Sequence, residues 1–184
     1  MITVEVADNQ SKLPLDHERL KEAVVTVLQG ESVPRAEISI AVVDDDAITE
    51  LHQRYLGQDE PTDVISFVLE QGKQGLEGEV IVSAETAMLS ADWYEMKPED
   101  ELLLYVIHGT LHLAGYDDVA PQDRAVMRQR EAVYLAHFGV DSHGGDGLRA
   151  KDSGAKDSGA QDSGAQDSGP EDAPADDSPA EGES

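Results

Sequence analysis

The stretch EDELLLYVIHGTLHLAG, residues 99–115, predicts a helix that is apolar on nearly every side. Such a helix is stable only when other elements surround it, so we expect it to be the central helix of the fold. Pro98 suits its first turn, and the acidic residues 99–101 are favourable near its positive end. Gly115 suits the point at which the chain leaves the helix. The rest of the domain is therefore expected to pack around this segment.

Strands and helices alternate on both sides of the central helix. Alternating or continuous apolar residues predict strands at ITVEV (2–6), EISIAVVD (37–44), DVISFVLE (63–70) and GEVIVS (78–83). Helical periodicity predicts further helices at 17–30, between the second and third strands, at 83–95 and at about 121–136. We therefore predict an α/β (α+β) fold, with a small mixed sheet of about four strands packed with about five helices.

Composition divides the chain of 184 residues into two parts. Residues 141–184 contain almost no large apolar side chain, and residues 151–170 repeat the units KDSGA, KDSGA, QDSGA and QDSGP. Such a segment cannot bury enough apolar surface to offset the entropy of ordering. We predict a folded domain in 1–140 and a disordered acidic low-complexity tail in 141–184.

Charge and cysteine content exclude several classes of function. The net charge is −26, and residues 1–140 alone hold 27 acidic and 10 basic residues. This balance disfavours nucleic-acid binding driven by a broad basic surface. The chain has no cysteine, which excludes a disulfide scaffold and a thiolate metal site.

The N-terminal stretch MITVEVADNQ lacks the basic and apolar regions of a signal peptide. No apolar run in the sequence reaches the length that spans a membrane. We therefore expect a soluble cytoplasmic protein without a membrane partner.

The central helix carries the residues of a predicted metal site. His108 and His112 are four residues apart, so both imidazoles lie on one face and aim at one point. Gly115 can turn the chain with a positive φ, and Asp118 then returns over the helix end. His108, His112 and Asp118 are the predicted ligands, and three protein ligands leave a fourth position open for water. The alternative is a pair of ordinary core histidines.

Two further blocks accompany this motif and carry a family resemblance. The run HGTLHLAGYDD, residues 108–118, resembles the signature H-G-x-L-H-L-x-G-Y-D-H of the YbeY family of single-strand-specific metallo-endoribonucleases. DEPTDVISF (59–67) and GEVIVSAETA (78–87) are similar to two other recurring blocks of that family. The resemblance implies one zinc ion per chain and hydrolysis of single-stranded ribosomal RNA. It further implies roles in maturation of the small-subunit RNA 3′ end and in ribosome quality control, with the small subunit or its proteins as partners.

The sequence departs from the family pattern at two positions. The third histidine of the signature is Asp118 here, and a ligand set of two histidines and one carboxylate also suits iron or manganese. Asp117 is expected to orient a ligand or the turn rather than bind the metal. The position of an arginine implicated in the family's activity is Leu56, and Arg54 is expected to point elsewhere. The catalytic residues are therefore left unassigned.

Two groups of residues are candidates for RNA contacts. Thr62, Asp63 and Ser66 are candidates for a substrate groove, although turn and strand-start chemistry explains them equally well. A second group is formed by arginines on the last helix that are candidates for phosphate contacts: Arg124, Arg128 and Arg130. A solvated helix face is the favoured reading of these arginines.

Two other functions compete with an endoribonuclease. One is a non-catalytic, zinc-containing ribosome-assembly factor, which Leu56 and the acidic composition favour. The other is a metal-dependent hydrolase of another substrate, such as a peptide. The helical zinc motif of proteases has a glutamate general base where this chain has Gly109, which argues against peptide hydrolysis.

Overall fold

The structure, a computed structural model, describes residues 1–141. The elements of this part follow in the order β1 (Ile2–Asp8), α1 (His17–Gly30), β2 (Ala36–Val43), α2 (Asp45–Leu56), β3 (Val64–Gly72), β4 (Gly75–Ser83), α3 (Ala84–Tyr94), α4 (Pro98–Leu113) and α5 (Pro121–His137). The predicted α/β class, with a four-stranded mixed sheet and five helices in the described part, is confirmed. The predicted acidic tail lies, apart from Asp141, outside the described residues.

The sheet has the strand order β1-β2-β4-β3. β1 and β4 both pair with β2 in parallel, and β3 runs antiparallel to β4 at the sheet edge. The third strand in sequence therefore lies outside the fourth. Gly75 begins β4 with a φ of 144°, and a Cβ atom there would lie 2.9 Å from the carbonyl oxygen of Arg35. A glycine is thus required where β4 starts beside the segment that leads into β2.

Alternation along the strands divides the core between the two faces of the sheet. One face presents Ile38, Ile40, Val80 and Val82 to a large cluster that includes residues of α1, α4 and α5. The other face has a small cluster, in which Ile48 of α2 packs with residues that include Val43, Ile65 and Ile81. Among the described residues, none of the helices combines the length and apolar character that crossing a bilayer requires.

α4 is the central helix, as the sequence predicts. Leu103, Val106, Ile107 and Leu111 are fully buried in the large cluster. Gly109 faces the sheet, where a Cβ atom would lie 2.7 Å from Cγ1 of Val80 and 2.9 Å from Cγ2 of Val64. The missing side chain lets α4 lie close against β3 and β4.

Candidate metal centre

The three predicted ligands lie together at the end of α4. The Nε2 atoms of His108 and His112 are 2.9 Å apart. The Asp118 carboxylate lies 3.8 Å from each of these nitrogens, through Oδ2 to His108 and Oδ1 to His112. One ligand atom from each residue falls within 4.8 Å of the others. This grouping has the composition and size of a metal site with three protein ligands.

The loop that returns Asp118 to the helix is fixed by backbone contacts. Gly115 has a φ of 99°, so the chain leaves α4 in a conformation that favours glycine. The Asp117 Oδ1 atom accepts hydrogen bonds from the backbone N–H of Asp118 at 2.7 Å and of Val119 at 3.2 Å. Arg124 donates from Nε to the carbonyl oxygen of Asp118 at 3.0 Å. Asp117 therefore stabilises the turn after α4, and Arg124 stabilises the loop that carries Asp118, which we call the ligand loop.

Both histidines have a partner on the nitrogen that faces away from the site. Nδ1 of His108 lies 2.5 Å from the Oε1 atom of Glu131, and the two side chains are only 7% and 9% exposed. Nδ1 of His112 lies 2.9 Å from the carbonyl oxygen of Tyr116. A carbonyl oxygen only accepts, so His112 carries its proton on Nδ1 when neutral, and the Glu131 carboxylate favours the same tautomer of His108. Both Nε2 atoms are then left with lone pairs.

This arrangement of lone pairs fits a cation. Two unprotonated nitrogens at 2.9 Å and a nearby carboxylate repel one another unless a positive charge lies between them. Burial and the neighbouring His108 lower the pKa of His112, which favours the neutral, ligating imidazole. A carboxylate or carbonyl behind each ligating histidine is the usual outer layer of a metal site. The donor set suits zinc and also iron or manganese.

The predicted ligands lie along a cleft beside the sheet edge. The cleft is lined by Leu56, residues 63–68, His108, His112, Leu113 and Asp118. It therefore includes Asp63 and Ser66 of the predicted groove, whereas Thr62 is not among the lining residues. Asp63 Oδ1 accepts two hydrogen bonds, one from the Thr62 hydroxyl at 3.2 Å and one from the backbone N–H of Val64 at 2.9 Å. These bonds are strand-start contacts, so the groove assignment stays a prediction.

Leu56, at the position where the resemblance implies an arginine, lines the same cleft. Its side chain is 59% exposed. The Arg54 guanidinium lies instead near the ring of Tyr55, 5.6 Å from its centroid, and is not among the cleft residues. The cleft thus has an apolar side chain at the place where the resemblance implies a cation.

The candidate phosphate-binding arginines lie on α5. Arg124 is engaged with the ligand loop, and its NH2 group also donates to the carbonyl oxygen of Val119 at 3.2 Å. Arg130 donates from Nε to Oε1 of Glu31 at 2.9 Å. Both contacts are within the chain, and the assignment of Arg124, Arg128 and Arg130 to RNA phosphates stays a prediction.

Sequence reasoning missed Glu131, the partner of His108. The sequence pattern of α5 could have identified it, because Glu131 lies on the same buried face as Met127, Tyr134 and Leu135. An acidic residue at an apolar position of an amphipathic helix needs a buried partner. Glu31 lies directly after α1 and contacts Tyr116 and Arg130. No comparable local pattern in the sequence predicts these contacts.

Comparisons with known proteins relate this chain to one family. A model of the family described as Endoribonuclease YbeY matches residues 5–139. The Endoribonuclease YbeY of Rhodopirellula baltica is 38% identical over 124 residues, which are 66% of this chain and 64% of that protein. The protein of the same name from Chloroherpeton thalassium is 40% identical over 125 residues, 68% of this chain and 88% of that one. The matched region thus spans slightly less than two thirds of the Rhodopirellula protein.

A solved structure has the same fold. The solution structure of TM1509 from Thermotoga maritima is similar to this one with a TM-score of 0.52 and 31% sequence identity. The similarity covers 73% of this chain and 87% of that chain. The two proteins are therefore similar both in fold and in sequence.

Proposed function

The chain belongs to the endoribonuclease YbeY family, and on that premise we propose that it is a zinc-dependent endoribonuclease specific for single-stranded RNA. The observation that carries the proposal is the geometry of His108 and His112, whose Nε2 atoms lie 2.9 Å apart and face Asp118 while each Nδ1 has an acceptor. The proposed substrate is ribosomal RNA, at the 3′ end of the small-subunit RNA. The proposed setting is the cytoplasm, where the protein also acts in ribosome quality control with the small subunit or its proteins.

The metal and the protein have separate tasks in this proposal. His108, His112 and Asp118 would hold one zinc ion, which would supply the Lewis acidity for activating water and polarising a phosphoryl oxygen. Glu131 and the Tyr116 carbonyl keep the proton of each imidazole on Nδ1, so that Nε2 stays available as a ligand. Three protein ligands would leave a coordination position for water, as hydrolysis requires.

Replacing His112 by alanine tests the proposal. We expect the full-length wild-type protein to hold one zinc per chain and to cleave single-stranded RNA but not duplex RNA. We expect His112→Ala to lose both properties, with cleavage reduced more than about 100-fold, beyond the usual effect of an outer-layer partner. Metal content by elemental analysis and cleavage of a labelled oligonucleotide are the measurements.

His137→Ala is the matched control, because His137 is an exposed histidine on α5 that does not belong to the metal group. It should retain both metal and cleavage. A wild-type protein without metal after zinc loading contradicts the proposal, and so does unchanged cleavage by His112→Ala.

A ribosome-assembly factor with zinc but without turnover is the second candidate. Leu56 favours it, because the cleft has an apolar side chain at the place where the resemblance implies an arginine. Stoichiometric zinc without cleavage by the wild-type protein would establish this candidate over the first. Peptide hydrolysis is disfavoured, since Gly109 faces Val64 and Val80 and leaves no room for a glutamate.

The arginines of α5 remain proposed phosphate contacts, and Arg128→Ala tests one of them. The corresponding variants of Arg124 and Arg130 test the others, and they also break contacts with the loop of Asp118 or with Glu31. If Arg128 contacts a phosphate, its removal should lower the slope of log affinity against log salt by about 0.7 for single-stranded RNA. Binding measured over a range of salt concentrations gives that slope. An unchanged slope would show that Arg128 belongs to a solvated helix face.

A further inference from the structure

We propose that Tyr55, whose neighbour Leu56 and ring partner Phe67 both line the metal cleft, is a stacking platform for an unpaired nucleobase of the RNA strand, an inference that rests on the proposed function. Tyr55 lies in the last turn of α2 and is 55% exposed, although a tyrosine ring is large and mostly apolar. Leu56 and Val68, which line the cleft, are also strongly exposed. Several apolar side chains thus stand exposed on one side of the candidate metal centre.

The Tyr55 ring is connected to the metal cleft through Phe67. The two ring centroids are 5.0 Å apart with an interplanar angle of 60°, which is an edge-to-face contact. Phe67 lines the cleft together with His108 and His112. Tyr55 itself is not among the cleft residues, but its ring is held by Phe67, which lines the cleft at the edge strand and also packs against the small cluster beneath α2.

A cation stands beside the same ring. The guanidinium carbon of Arg54 lies 5.6 Å from the Tyr55 centroid, within the range of a cation–π contact. An aromatic ring beside a guanidinium is a combination that single-strand-binding proteins use, since the ring stacks on a base while the cation favours the backbone. Arg54 thus complements Tyr55 without entering the cleft.

The acidic charge of the domain favours a contact that does not depend on charge, such as base stacking. Residues 1–140 hold 27 acidic and only 10 basic residues, so long-range attraction cannot supply most of the affinity for a polyanion. Asp63 and Asp118, both in the cleft, add local negative charge. Stacking does not depend on net charge and tolerates every base, because each base has a π face.

A stacking platform would also account for the proposed specificity for single strands. The bases of a duplex are paired and stacked on one another, whereas unpaired bases can turn out and stack on aromatic side chains. An exposed apolar patch can alternatively mark a protein-binding surface. We favour RNA because Tyr55 is continuous, through Phe67, with the cleft that holds the metal ligands.

The test measures binding separately from cleavage. Full-length, zinc-loaded protein is titrated with a short single-stranded oligonucleotide that 2′-O-methylation protects from cleavage, and with the corresponding duplex. We expect Tyr55→Ala to weaken single-strand binding by about tenfold and Tyr55→Phe to retain it. The control is Leu89→Ala, which removes an equally exposed apolar side chain (60%) from α3, outside the cleft. Zinc content should be the same in all four proteins.

The outcomes separate this inference from the proposed function. Loss of single-strand binding in Tyr55→Ala alone supports the platform, even if the wild-type protein turns out not to cleave. Cleavage by the wild-type protein with unchanged binding by Tyr55→Ala overturns the platform and leaves the proposed function intact. An equal loss for single strand and duplex overturns it, because a duplex offers no free base. Wild-type self-association that Tyr55→Ala abolishes also overturns it, since the patch then pairs two copies of the chain.

Discussion

Glu131→Ala is expected to weaken zinc binding by about 10- to 100-fold, although Glu131 is not itself a ligand. The carboxylate lies 2.5 Å from Nδ1 of His108, and both side chains are buried. Without it, His108 loses the partner that fixes its ring orientation and holds its proton on Nδ1. The Nε2 atom is then no longer restricted to the ligating tautomer, and the imidazole becomes a weaker electron donor.

Competition with a calibrated chelator measures the zinc affinity, and thermal unfolding of the metal-free protein measures the cost to the fold. Glu131→Gln retains a hydrogen-bond acceptor without the charge, so its zinc affinity should lie between those of Glu131→Ala and the wild type. The control is Glu101→Gln, which changes another buried acidic residue, on α4 but about two turns before His108. It is expected to alter stability and leave zinc affinity unchanged. Equal zinc affinity in Glu131→Ala and wild type would assign Glu131 to packing alone.

The parts of the site that the sequence predicts are those with local geometry. His108 and His112 share a helix face because of their four-residue spacing, and Gly115 brings Asp118 back within three residues. Each of these relations is fixed by backbone geometry over one or two turns. Local spacing therefore sufficed to predict that His108, His112 and Asp118 lie together.

The supporting contacts are long-range and could not be predicted in the same way. Glu131 reaches His108 across 23 residues, and Glu31 reaches Tyr116 across 85. Such pairs depend on how α1, α4 and α5 pack, which no local pattern encodes. The strand order could not be predicted from local sequence either, because β4 lies between β2 and β3. The alternation of residues predicts that β3 is a strand and which side chains share a face, but it does not predict which strand pairs with it.

Replacing Glu31 is expected to have the largest effect on stability. Its side chain is 10% exposed and accepts hydrogen bonds from the Tyr116 hydroxyl at 2.8 Å, the Tyr134 hydroxyl at 2.5 Å and Nε of Arg130 at 2.9 Å. Glu31→Ala leaves a guanidinium and two hydroxyl groups without this acceptor. Breaking a buried charged pair costs about 3–5 kcal/mol, and partial exposure of Arg130 places the expected loss near 3 kcal/mol. For a domain of this size, that is a fall in Tm of about 10 °C.

The same residue makes a prediction for pH. Burial raises the pKa of Glu31, but hydrogen bonds from Tyr134, Arg130 and Tyr116 outweigh it, so the net shift is below the ordinary value of 4.5. A carboxyl whose pKa is lowered by folding contributes stability that is fully present above pH 4.5 and is lost as the pH falls through the folded pKa. The difference in unfolding free energy between wild type and Glu31→Gln should therefore be constant near neutral pH and shrink in acid. A difference that grows in acid would contradict the assignment.

Glu31 also reaches the metal site, and two variants separate this effect from stability. The Tyr116 hydroxyl donates to Glu31, while the Tyr116 carbonyl holds Nδ1 of His112. Tyr116→Phe removes only the first of these bonds, so it should lower zinc affinity with a smaller loss of stability than Glu31→Ala. Asp100→Asn is the control, because it weakens the ion pair of Arg19 and Asp100 that joins α1 to α4 away from the metal ligands. If Asp100→Asn lowers zinc affinity as much as Tyr116→Phe does, the effect comes from general loosening of α1 and not from the contact with the ligand loop.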